Sequence, residues 1–443
     1  MADMAGVTGA AEGLLSSGEA ARRLGVKPET LYAYVSRGLL RRQRSPDGRR
    51  SWFDPAEVER LAERSRQPGG RGGVRLRVES AITSIQGGRY RYRGVDAVEL
   101  ARDRHFEEVA YWLWTGHRPV EAVWRADEAG VEVGRAAQAA LPADTLPLER
   151  LRVITAALAT VDELRLQLDP PAVIAAGQSL IAGMVACLPD PAALPPPASG
   201  AATATPPPGD GAGIAERLWR KLTAAAPEPE LLRALEAALV LLADHELAAS
   251  TVAARAAASV RADPYAVVSA GLAVASGTLH AGASLDIEAL LAEAERPERA
   301  ARAVGERLRR GERIRGFGHF VYQTGDPRAT YLLERLRDAA AGAERPMAAQ
   351  RLAVAEAVLD AARRRRLPAP NVDFALATLA SMAGMIAGAG EAVFVVARAA
   401  GWLAHALEEY QRGTPIRPRA IYTGPDRRHQ EADERGSNDQ DPG

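Results

Sequence analysis

An all-α fold, preceded by a small basic module, is what this sequence of 443 residues predicts. Apolar residues recur at intervals of three and four through stretches such as ELLRALEAALVLLADHELAASTVAARAAAS, the period of a helix with one buried face. Strand-like alternation stands out in one stretch, SAITSIQGGRYRYRG, where it straddles Gly87-Gly88 and predicts a small hairpin. The length exceeds one ordinary core and suggests about two to four domains.

The elements follow in chain order. Residues 1–13 are expected to be a flexible tail. From Leu14 to Arg66 the chain carries 12 Lys/Arg and 7 Asp/Glu, a net +5, while the whole chain is formally neutral with 56 of each sign. Ser16 and Glu19 fit a capping box, a short helix should end at Gly25, and Pro28 can open a second helix because its missing N–H costs nothing there. The second helix would present Thr30, Tyr32, Tyr34 and Arg37, and RRQRSPDGRR after it reads as a basic hairpin tipped by Asp47-Gly48. This order resembles the winged helix-turn-helix of the MerR and excisionase type. Thr30, Tyr32, Arg37 and Arg49 are the candidate DNA contacts, since local positive charge is what a phosphate backbone requires.

QPGGRGG opens a linker over 67–74, and LPDPAALPPPASGAATATPPPGDGAG, 188–213, is too rich in Pro, Ala and Gly to pack a core. The polar tail 426–443 is expected to be disordered. The single cysteine, Cys187, excludes an internal disulfide framework and a four-cysteine zinc site and suits a reducing compartment. Without a basic signal-peptide start or an evident run of about 18 apolar residues, the expectation is a cytoplasmic chain with no membrane partner. HELAA lacks the second histidine of HExxH, so no metal site is expected.

Residues 75–425 carry separated signatures in a consistent order. ADHELAASTVAAR, GTLHAGAS, GFGHFVYQTGDPRA and PNVDFALA stand where citrate synthases have ADHELNAST, GPLHGGAN, GFGHRVYKTGDPRA and the helix of their catalytic aspartate, and SAITSIQGGRYRYRGVDAVELARDRHFEEVAYWLWTGHRP looks like their amino-terminal hairpin and first helices. The region resembles the citrate synthase family. The resemblance implies the citrate synthase fold, with a large helical domain (75–281 and 387–425) and a small one (282–386) that closes over the substrates. It also implies a homodimer, and no cofactor beyond coenzyme A thioester as substrate.

Such chemistry explains the residue types. Making a carbon nucleophile from a thioester needs a base on the carbon and a hydrogen-bond donor on the thioester oxygen. The resemblance makes Asp373 the base, His280 that donor, and His319 the group that polarises the acceptor ketone. His245, Arg328 and Arg398 would bind oxaloacetate, with Arg417 supplied by the neighbouring subunit. Arg315, Gly316, Phe317 and Gly318 would meet acetyl-CoA or another short acyl-CoA, the glycines letting backbone approach the ligand. His105, His117, His405 and His429 are read as structural or surface histidines. Departures from the family pattern are Ala248, Thr278, Ala281, Ser284 and Phe320. Propionyl-CoA in place of acetyl-CoA, giving 2-methylcitrate, stays open, because one methylene changes selectivity only modestly. So does a DNA-binding regulator whose second region senses ligand.

Overall fold

The computed structural model describes residues 14–24, 26, 30–31, 34–35, 40–44, 51–55, 57–58, 78–118, 123–191, 211–277, 282–342 and 346–420. The chain forms two compact units, Met1–Val78 and Glu79–Gly443.

In the first unit, β1 (Leu15–Ser16) leads into α1 (Ser17–Leu24), and β2 (Gln43–Arg44) and β3 (Ser51–Phe53) follow. The expected capping box is present: the Ser16 N–H donates to Glu19 Oε2 at 3.0 Å and the Glu19 N–H to Ser16 Oγ at 3.3 Å. Strand β3 lies between β1 and β2, with Gln43 opposite Trp52 and Arg44 opposite Ser51. That antiparallel pair forms the base of the anticipated wing, whose Asp47-Gly48 tip lies outside the described residues. Leu15, Leu24, Leu31, Leu40, Phe53 and Val58 are among the residues of its own small core.

The second unit opens with the predicted hairpin. Strands β4 (Thr83–Gln86) and β5 (Arg89–Tyr92) pair across Gly87-Gly88, both at positive φ, and β6 (Val95–Asp96) completes the sheet. Helices α2 (Ala97–Asp103), α3 (Phe106–Thr115), α4 (Glu128–Ala139), α5 (Pro147–Leu158) and α6 (Pro170–Cys187) follow. Next come α7 (Ile214–Leu222), α8 (Pro229–Leu242), α9 (Ala249–Ser259) and α10 (Pro264–Ala275). The remainder is α11 (Gly282–Ala294), α12 (Pro297–Arg309), α13 (Pro327–Ala341), α14 (Pro346–Arg364), α15 (Val372–Met382) and α16 (Ala389–Arg412). Their starts are written in the sequence: Asp169, Asp263 and Asp326 each accept a backbone N–H of the first turn, and a proline follows each, where its lost donor is harmless.

Helices α11 to α15 pack on one another, and α16 lies against α11 and α15 as well as α3, α5, α6, α8, α9 and α10. Most of its 24 residues are buried. Glu391, Arg398, His405 and Arg412 recur every seventh position along it and therefore share one stripe. Helix α6 corrects one reading of the sequence: its 18 residues, at mean hydropathy 1.5, are long and apolar enough to cross a membrane. Half of them are buried inside the fold, with Leu180, Ile181, Met184 and Val185 in the core and α16, α4 and α5 as neighbours.

The hairpin grips the end of α8. Tyr92 Oη stands within hydrogen-bonding distance of the Val240 and Leu241 carbonyls, both at 3.1 Å, and of the Asp244 carbonyl at 3.0 Å, and it accepts the Asp244 N–H at 3.2 Å. Those bonds fix the segment that carries Asp244 and His245.

Candidate active site

His319, Tyr322 and Arg328, all within residues 319–328, come together with His245 from just beyond the end of α8. The imidazole rings of His245 and His319 lie 5.4 Å apart, the Tyr322 ring is 4.8 Å from His319, and Tyr322 Oη is 2.8 Å from His245 Nε2. The Arg328 guanidinium stands 5.7 Å from the centre of the Tyr322 ring, with Nη2 3.3 Å from His319 Nε2.

Burial pushes the His319 imidazole down to about 4, aided by the Arg328 charge, and holds His245 well below its ordinary value, aided by Arg328 and Arg398. Both rings are uncharged near neutrality. The Val321 N–H donates to His319 Nδ1 at 3.0 Å, so the single ring proton resides on Nε2. Nε2–H and the Arg328 Nη2 group are thus two donors side by side, and neither can satisfy the other. An acceptor oxygen of a ligand can take both.

Arg328 is aimed by Asp326, a residue the sequence reading passed over. Its carboxylate takes Arg328 Nε at 2.9 Å and Nη2 at 2.8 Å, and it also accepts the Val372 N–H at 3.0 Å. Burial works against charge on both partners. The pairing outweighs it, holding the Asp326 carboxyl low and the Arg328 guanidinium protonated. Because Val372 opens α15, one carboxylate ties the arginine loop to the helix that carries Asp373.

Asn371 makes the second tie. It caps α15 through the Asp373 N–H at 3.1 Å, and its Nδ2 donates to the carbonyls of Arg315 at 2.9 Å and Gly318 at 3.0 Å. The proximity of Asn to Asp in PNVD was the available signal. Desolvation lifts the Asp373 carboxyl to about 7, Arg328 opposing and Asp326 adding to the rise.

Close packing and backbone conformation both call for glycine in this loop. A Cβ on Gly316 would come within 2.5 Å of Ile287, and Gly318 has φ +80° against Pro368. The Gly318 N–H already donates to the Ala369 carbonyl at 2.8 Å. Phe317 is buried, its ring 5.3 Å from that of Phe374. A cavity of about 410 Å³ adjoins this loop, with Phe317, Leu333, Arg337, Arg363, Leu367 and Pro368 among its lining residues.

Arg398 is 1 % exposed; its Nε donates to the Leu242 carbonyl at 2.8 Å, and its guanidinium lies 4.6 Å from the centre of the Phe394 ring. Its Nη2 has no protein partner among the described residues. A buried guanidinium with one unsatisfied edge is costly unless an anion completes it.

Arg417 is exposed on the extended segment after α16, whose Ile416 N–H donates to Ser259 Oγ at 3.0 Å. Within the chain, no contact among the described residues joins it to the cluster. His280, Thr278 and Ala281 lie outside the described residues, as do Tyr32, Arg37 and Arg49. Thr30 is half-buried in a helical stretch of the first unit. Phe320, 99 % exposed, stands beside His319.

The C-terminal domain of citrate synthase matches residues 73–419, and the MerR family regulatory protein matches residues 16–52. "Citrate synthase 2" of Bacillus subtilis is 31% identical over 377 residues, covering 79% of this chain and 94% of that protein. "2-methylcitrate synthase 1" of Corynebacterium glutamicum is 29% identical over 356 residues, covering 76% and 90%. The crystal structure of citrate synthase from Pyrobaculum aerophilum superposes with a TM-score of 0.63 at 26% identity, covering 87% of this chain and 95% of that one. With the match extending over well more than half its length, the chain belongs to the citrate synthase family.

Proposed function

We propose that the chain condenses acetyl-CoA with oxaloacetate to give citrate and free CoA. One observation carries the reading: a carboxyl lifted to about 7, Asp373, shares a unit with two uncharged imidazoles and two buried guanidinium groups. A carboxylate of raised pKa is a stronger base than an ordinary aspartate yet still ionises near neutrality. Asp373 takes a proton from the methyl carbon of the thioester while His280 donates to the thioester oxygen. The carbon then attacks the ketone carbon of oxaloacetate, a C–C bond forms, and the ketone oxygen takes a proton from His319. Water cleaves the C–S bond of the resulting thioester, releasing citrate and the CoA thiol.

His245, Arg328 and Arg398 hold the keto acid, with Arg417 contributed by a second copy of the chain, so the working form is a homodimer. Arg315 to Gly318 meet the CoA thioester. The neighbouring cavity, apolar with two arginines in its lining, suits a flat group that carries phosphate. CoA enters as substrate and no separate cofactor is invoked. The reaction belongs to the cytoplasm.

Release of CoA thiol in the presence of oxaloacetate tests the assignment. Asp373→Ala should lower the rate by about 10²–10⁴, the usual contribution of a positioned base; an unchanged rate refutes it. Similarity to a protein named 2-methylcitrate synthase makes propionyl-CoA the second acyl donor to try on this chain, and comparing the two thioesters in one assay decides between them. The match of residues 16–52 favours a DNA-binding role for the first unit, through Thr30, Tyr32, Arg37 and Arg49.

A further inference from the structure

His405, expected only as a structural histidine, touches neither His245 nor Arg398, yet it holds the carboxylate beside both. Asp244 is fully buried, and its Oδ2 accepts Thr83 Oγ1 at 2.5 Å with His405 Nε2 3.4 Å away. On its other side the imidazole meets Arg255, whose Nη1 lies 2.5 Å from Nδ1. A guanidinium can only donate, so Nδ1 accepts, the ring proton sits on Nε2, and Nε2–H faces Asp244. Arg255 is fixed in turn by Glu409 Oε1 at 2.6 Å and Glu408 Oε2 at 2.7 Å, and Glu408 Oε1 accepts the Ala81 N–H at 2.8 Å. The chain of bonds leaves the hairpin at Ala81, passes through Glu408, Arg255, His405 and Asp244, and returns to the hairpin at Thr83.

What this closed circuit holds is residues 242–245. Leu242 supplies the carbonyl on which Arg398 Nε rests, and Asp244 precedes His245. Glu246 follows at φ +55°, a left-handed conformation that a glutamate adopts only under constraint from its surroundings. Gly401 of α16 packs so closely that a Cβ there would strike the Ala243 carbonyl and the Asp244 carboxylate. The segment therefore depends on side-chain bonds for its position.

We propose that His405 is a positioning residue for the keto acid: by fixing Asp244 it aims His245 and the Arg398 guanidinium at the carboxylated substrate. The inference rests on the assignment of His245 and Arg398 to that substrate. It predicts an effect on one substrate alone, because Asp373 and residues 315–318 stand on other elements.

The experiment pairs His405→Leu with His405→Gln in the full chain. A carboxamide can accept from Arg255 and donate to Asp244; leucine can do neither. His405→Leu should raise KM for oxaloacetate about tenfold, the cost of roughly one hydrogen bond to a charged group, and leave KM for acetyl-CoA unchanged. His405→Gln should recover the value to within about threefold. Leucine leaves two buried charges short of a partner, so Thr83→Val, which removes only the other donor to Asp244, provides the same split should His405→Leu not fold. Equal losses for both substrates, or glutamine no better than leucine, overturn the proposal. Calorimetric binding of oxaloacetate separates it from the reaction itself. Wild type that binds oxaloacetate without turnover removes the condensation reading, and the Kd values of the variants then decide for or against His405. Wild type that does not bind oxaloacetate removes both.

Discussion

The raised carboxyl of Asp373 has a consequence for stability. Its folded carboxyl titrates about 7 against an ordinary 3.8, so between those values the folded chain binds the proton that the unfolded chain has lost. Stability therefore falls as pH rises through that window, and the full cost is present above pH 7. Asp373→Asn should be more stable than wild type by roughly 2–4 kcal/mol at pH 8 and indistinguishable near pH 4, read by urea unfolding at the two values. An equal difference at both pH values would show that the carboxyl is not the cause. Legibility divided sharply among neighbouring residues. His319, Arg328 and Asp373 were visible because the motif surrounding each is distinctive. Asp326 was not, although it lies two residues from Arg328, because DPR does not reveal that the aspartate turns its carboxylate onto both the guanidinium and the first turn of a helix 46 residues away.

At the scale of the element, period and punctuation carried the prediction. The β4–β5 hairpin follows from alternation around two glycines, and helix starts follow from Asp-Pro pairs such as Asp169-Pro170 and Asp263-Pro264. Helix α9 is one of several helices without a side-chain N-cap, and it can be improved. Its N-cap, Ala248, offers no side-chain acceptor. Ala248→Asn should stabilise the chain by about 1 kcal/mol in a chemical unfolding experiment, since a cap satisfies a donor that the first turn leaves open. No gain would mean that the N–H groups of this turn are already satisfied. Pairing between distant elements was not legible: His405 and Asp244 are 161 residues apart, and nothing local to either names the other. The recurrence of ionisable residues at 391, 398, 405 and 412 was the available hint.

For the whole molecule, the two units have separate cores, the first built around Leu31 and Phe53 and the second around the helices. Deleting residues 1–73 should therefore leave condensation activity and dimer mass intact while abolishing DNA binding at low salt, measured by thiol release, light scattering and mobility shift. Loss of the dimer in that truncation would give the first unit a structural part instead. The mostly helical second unit was legible from period, whereas the circuit through Arg255 required coordinates. The seven-residue stripe on α16 also bears on how this chain can change over generations. One residue inserted before Arg398 would turn every later side chain by about 100°, carrying Arg398 off the Leu242 carbonyl and His405 off Asp244 together. Substitutions can explore this helix one position at a time, but insertions and deletions meet several penalties at once. The length of α16 is thus fixed for any lineage that keeps the site, and growth or shortening must fall on connections such as the Pro-rich stretch 188–213.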